Sequence, residues 1–179
     1  MAGPKWVSES VSYVVPREAG RGDAWAEEAA RAGRRSSQRI VDVQELEPPP
    51  AVADALELRA GDAVVVRRRI MYVDNRPVEL TDSYYPAAIA RGTRLAETRK
   101  IPGGAVTLLA ELGHALQEVS EEVTVDLPGA ERRKALALSE GEPVLLLTRT
   151  GYTADRRPVE VSVMTMPRGS HLRYHIGVG

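Results

Sequence analysis

Two stretches decide the fold: GDAVVVRRRIMYVDNRPVELTDSYYP (61–86) and GEPVLLLTRTGYTADRRPVEVSVMTMP (141–167). Gly61 matches Gly141, Val64 matches Val144, Arg69 matches Arg149 and Tyr72 matches Tyr152, all at one offset. One extra residue in the second turn then brings Asp74, Arg76, Pro77, Val78 and Glu79 onto Asp155, Arg157, Pro158, Val159 and Glu160. Upstream, Ala55, Leu56 and Leu58 fall on Ala135, Leu136 and Leu138. Further back, Gly33, closing DAWAEEAARAG, falls on Gly113, closing GGAVTLLAELG. A shared order of elements, and not a single matching hairpin, marks a duplicated unit.

Each copy predicts the same elements. A helix over 23–32 has Asp23 as N-cap and Gly33 past its end, and its counterpart over 104–112 stops at Gly113. Strands follow over 37–46 and 117–127, the second alternating Val119, Val123, Val125 and Leu127 with polar neighbours. A short helix opened by proline comes next (Pro48–Pro50; Pro128), then the hairpin. The unit α-β-α-β-β, repeated, predicts an α+β domain with a six-stranded antiparallel sheet and helices segregated to one side. The domain is expected over 23–176, with repeats at 23–86 and 103–167 bridged by 87–102. Residues 1–22 read as an arm or linker, with Tyr13-Val14-Val15 as a candidate edge strand. His171–Ile176 reads as a last short strand.

Composition narrows the function. The chain has 179 residues, 43% of them hydrophobic and 27% charged, which describes a globular domain. It lacks cysteine, which removes disulfides, thiolate nucleophiles and Cys-ligated metal sites together. No 18-residue apolar run or secretory h-region is present, so a cytoplasmic protein with no membrane partner is expected. Lys plus Arg number 24 against 25 Asp plus Glu. A domain that binds DNA by itself needs a basic surplus to neutralise phosphates, and none exists.

Strand alternation sorts the arginine run. Val64, Val66, Arg68, Ile70 and Tyr72 point one way, with Val78, Leu80 and Tyr84 expected to join them. The opposite face gathers Arg67, Arg69 and Met71, facing Ser83, Thr81 and Glu79 if Val73 lies opposite Pro77. In the second copy Arg149 is expected opposite Ser162, with Glu160 beside Gly151. Two interpretations of this face stand open. It is a solvated sheet surface with cross-strand ion pairs, or a concave site where Arg holds an anion bidentately and hydroxyls complete the shell.

Catalytic and metal signatures are poor. His171 and His175 have i,i+4 spacing without the Glu of a zinc-protease motif, and His114 follows a helix-ending glycine. Glu121 and Glu122 alternate sides of one strand, so they form no catalytic dyad. No metal and no cofactor are expected.

These motifs resemble the UTRA domain, the effector-binding domain of HutC-type GntR transcription regulators. The likeness rests on Gly-x-x-Val-x-x-x-x-Arg…Asp-Asn-Arg-Pro-Val-Glu-x-x-x-Ser-Tyr-x-Pro (61–86) and on residues 103–163. The resemblance implies a chorismate lyase-like fold, a homodimer, and a small, anionic effector bound between the duplicated halves. It implies DNA contact only through a winged helix outside this domain. The candidate effector-binding residues are Arg67, Thr81, Ser83 and Arg149 from the strand register, and Arg69, Met71, Gly104, Val106, Glu160 and Ser162 by resemblance. Arg69 matches the first arginine of the family's anion-binding pair, and the second falls on Met71. The family's Ser-x-Tyr falls on Gly104 and Val106, which argues against a phosphosugar. The stretch before the domain is too short for a winged helix, so a truncated chain and a free-standing sensor both stand, Met1-Ala2 favouring the latter. A chorismate lyase-like enzyme and a dimerisation module with a vestigial pocket are the alternatives.

Overall fold

A computed structural model describes residues 7–9, 11–17 and 24–175. In chain order its elements begin with β1 (Val7–Glu9), α1 (Val11–Val14), α2 (Ala24–Arg31), β2 (Ser36–Leu46), α3 (Pro50–Ala55), β3 (Val64–Val73) and β4 (Arg76–Pro86). They continue with α4 (Ala87–Ala90), a 3-10 turn (Arg94–Ala96), α5 (Ala105–Glu111), β5 (Glu118–Asp126), α6 (Ala130–Ala135), β6 (Val144–Tyr152), β7 (Pro158–Pro167) and β8 (His171–Arg173). The six long strands form one antiparallel sheet in the order β2-β3-β4-β7-β6-β5, as the duplication predicts. The two hairpins sit side by side at its centre. At the β4–β7 seam Asp82 lies opposite Val163. The duplication makes these two residues equivalent, so the pseudo-two-fold axis of the domain passes through their pair.

The first hairpin closes with Asp74 at φ +47° and Asn75 at φ +64°, the left-handed pair of a type I′ turn. That turn sets Arg67 opposite Ser83, Arg69 opposite Thr81 and Met71 opposite Glu79, as expected. Beyond Met71 the register shifts, so Pro77 pairs with Tyr72 and Arg76 with Val73. The bulge turns Val78 over. It packs with Trp25, Ala29, Met71 and Val73, not with Leu80 and Tyr84 on the other face. The second hairpin has the same shift between Gly151 and Tyr152.

Helices cover both faces of the sheet, not one. Val65 and Tyr85 pack with Leu95, Leu108, Leu109 and Val159 on the side of α4 and α5. Their strand neighbours Val64, Val66 and Tyr84 pack with Val52 and Leu56 of α3 and with Val161 of β7. Adjacent residues of β3 are apolar on both sides, so each face needs cover. Burying one such side chain contributes about 1.5–3 kcal/mol. The small helices cross the seam: α3 touches β7 of the other repeat, and α6 touches β4.

Other expectations need correction or fall outside the description. The second small helix starts at Ala130 with Gly129 as its N-cap, so Pro128 lies before the cap. Tyr13 and Val14 belong to the one-turn α1, and Val15 follows it as a bend. The tail strand ends at Arg173 and pairs in parallel with β1, forming a separate two-stranded ribbon. Asp23 as N-cap and Ile176 lie outside the described residues.

Candidate functional site

The sheet register lines up one polar row. Arg67, Ser83, Ser162, Arg149 and Glu121 follow one another across β3, β4, β7, β6 and β5. Arg69, Thr81 and Met164 form the next row. Over these rows lies a cavity of about 130 Å³. Its floor is the sheet, and its walls are Tyr13 of α1, Trp25 of α2, Gln38 and Ile40 of β2, and the segment from Lys100 to Val106. The face is therefore enclosed, and the solvated-surface alternative does not describe it.

Of the ten residues singled out from sequence, Arg67, Arg69, Met71, Thr81, Gly104, Val106, Arg149, Glu160 and Ser162 all line this one cavity. Ser83 is fully buried beneath it. The two arginines of β3 differ sharply. Arg67 donates through Nη1 to the main-chain oxygens of Arg94, Leu95 and Glu97, and through Nη2 to that of Arg99 at 2.8 Å. It thereby fastens the bridging segment to the sheet. Burial holds its pKa below the ordinary arginine value. Arg69 donates from Nη2 to Ser83 at 2.9 Å, while its Nε is buried with no hydrogen-bond partner among the described residues. A buried donor left without an acceptor costs about 1–3 kcal/mol.

A hydrogen-bond chain crosses the seam. Ser83 and Ser162 hydroxyls are 2.7 Å apart, and Ser162 donates to Glu160 at 3.1 Å. Tyr85 also donates to Glu160, at 2.9 Å. Burial pushes the Tyr85 phenol well up, so it remains a neutral donor. Glu79, the residue equivalent to Glu160, accepts from Thr81 at 2.5 Å. Burial raises its pKa, against the opposing pull of the Thr81 hydrogen bond and the Arg69 and Arg149 charges. Arg149 pairs with Glu121 at 2.5 Å and sits over the Tyr13 ring, 5.9 Å from its centroid.

The outer wall escaped the sequence. Tyr13 comes from the arm, and its hydroxyl donates to the buried Glu28 of α2. Arg17 pairs with Glu27 at 2.6 Å, and its main-chain N–H donates to Thr107 of α5. Trp25 and Ala29, four apart on α2, were the available signal that this helix lays an apolar stripe on the sheet. Among the described residues no helix is long and apolar enough to cross a membrane, and no cluster of His, Asp or Glu has metal-binding geometry.

The sequence profile of the UTRA domain matches residues 31–171. An uncharacterized HTH-type transcriptional regulator of Streptomyces coelicolor is 30% identical over 163 residues, spanning 89% of this chain and 57% of that protein. The histidine utilization repressor of Pseudomonas putida is 28% identical over 147 residues, spanning 82% of this chain and 57% of its own length. The chain thus spans a little over half the length of these curated relatives. PhnF of Mycobacterium smegmatis superposes with a TM-score of 0.81 at 21% identity, over 99% of this chain and 74% of that one, a likeness of fold. The duplicated six-stranded sheet and the profile match over most of its length agree: the chain belongs to the UTRA domain family.

Proposed function

We propose that this chain is the effector-binding domain of a GntR/HutC-type transcription regulator, taking a small, anionic metabolite in the cavity at the seam. The observation that carries this is Arg69, which lines the cavity and whose buried Nε has no acceptor among the described residues. An anion there completes Arg69 and meets Thr81 from one repeat and Ser162 from the other. Tyr13 and Arg17 wall the same cavity from the N-terminal segment. A ligand that favours one placement of that segment shifts the population of whatever domain adjoins it. The domain acts by binding, as a homodimer in the cytoplasm, and DNA is reached through a winged helix.

A thermal-shift screen against small anions tests this, because a ligand bound only to the native state raises the unfolding midpoint. Sedimentation measures the dimer. If no compound shifts the midpoint, a dimerisation module with a vestigial pocket remains; if chorismate is turned over to 4-hydroxybenzoate, the domain is an enzyme.

A further inference from the structure

We propose that the cavity selects a singly charged carboxylate whose far end carries a hydrogen-bond donor, a hydroxyl or an amine, and that Glu79 recognises that donor. This rests on the cavity being the effector site. The charge inventory of its walls carries the inference. Four arginines and Lys100 reach the cavity. Arg17 is paired with Glu27, Arg149 with Glu121, and Arg67 with four main-chain oxygens. Arg69 is the arginine among them that keeps a buried donor unanswered.

Two carboxylates share this space. Glu79 and Glu160 are each 8% exposed and line the same cavity. Glu160 already receives Tyr85 and Ser162. Glu79 receives Thr81 on Oε1, and its Oε2 takes no hydrogen bond among the described residues. A phosphate monoester carries about 1.5–2 negative charges at neutral pH. It would set them beside two buried carboxylates, and like charges at low dielectric repel strongly. A carboxylate brings one charge in a plane that suits the guanidinium. Glu79 Oε2 is then the acceptor left to fill. Burial without a full set of donors is what raises the Glu79 pKa, and a ligand donor restores its charged form. A cavity of about 130 Å³ admits a molecule on the order of ten non-hydrogen atoms.

Isothermal titration of the full chain with matched compounds tests this. The probes are 4-aminobutyrate and 4-hydroxybutyrate against butyrate, 3-hydroxybenzoate against benzoate, and phenyl phosphate with glycerol 3-phosphate. Donor-bearing acids are expected to bind about ten- to a hundredfold more tightly than their parents, and the phosphates no more tightly than the parents. Glu79→Met, which removes the acceptor, is expected to erase the donor preference, bringing each donor-bearing acid to the affinity of its parent. Should that variant fail to fold, Glu79→Gln is expected to cut the preference for 4-aminobutyrate over butyrate by about tenfold. Phosphates that bind most tightly, or a donor preference that survives in the variants, overturn the ligand class and leave the effector site standing. Silence from every compound with folded protein overturns both.

Discussion

Ser83 and Ser162 face each other across the seam of the two repeats, their hydroxyl oxygens 2.7 Å apart. Arg69 donates to the first, and the second donates to Glu160. The donors therefore run in one direction, from a guanidinium through two hydroxyls to a carboxylate, each bond polarising the next.

Ser83→Ala removes the middle of this chain and leaves both neighbours short of a partner in a dry interior. Its expected cost is about 1–3 kcal/mol. Ser162→Ala is expected to cost a similar amount, and the double variant less than the sum, with a coupling of roughly 0.5 kcal/mol or more. Urea denaturation of the four proteins of the cycle measures this, and additive costs would show that the hydroxyls act independently.

The two arginines of β3 are expected to behave oppositely. Arg67→Ala strips several main-chain oxygens of their donor and is expected to destabilise the fold by about 3 kcal/mol or more. Arg69→Ala is expected to weaken anion binding by about 1.5–3 kcal/mol with less than about 1 kcal/mol lost in stability. Denaturation and titration on both variants separate the roles. Equal loss of stability in both would make Arg69 a structural residue.

Stability is expected to fall with rising pH through Glu79. Its carboxyl is raised by burial, so the folded chain holds the proton more tightly than the unfolded chain. That contribution is fully present below the ordinary carboxylate value, about pH 4.3, and is lost as pH climbs through the raised value. Glu79→Gln removes the titration. The midpoint of the variant relative to the parent is therefore expected to increase from acid to neutral pH, and a constant difference in melting scans would contradict it.

Ala137 follows α6 with φ +54°, a left-handed conformation that an alanine adopts at a cost. Ala137→Gly is expected to stabilise the domain by about 0.5–1 kcal/mol. Glu57, at φ +53° in the equivalent place after α3, is expected to respond alike. A lowered denaturation midpoint in both variants would mean that the unfolded chain gains more freedom than the turn loses strain.

How much of this was legible in the chain depends on how local each signal was. The sheet and the body of its register were readable because alternation and the Asp74-Asn75 turn act within a few residues. Val78 was misassigned because a bulge reverses faces, and no residue type announces a bulge there. The floor of the cavity followed from the register. Apart from Gly104 and Val106 its walls did not, because Tyr13, Trp25, Ile40 and Lys100 arrive from four separate segments. Nor did the sequence distinguish Arg67 from Arg69, which point the same way from one strand. The carbonyl oxygens of residues 94 to 99 make the distinction, and they come near only when the bridging segment folds back.

The crossed placement of the small helices has a consequence for how such a domain arises. Val52 and Leu56 of α3 are covered partly by Val161 of the opposite repeat, and α6 leans on β4 in return. A half-length polypeptide of this pattern would satisfy those contacts only by associating with a twin. The present chain is thus the covalent equivalent of a symmetric pair, and its halves are free to differ, one having Met71 where the other has Gly151.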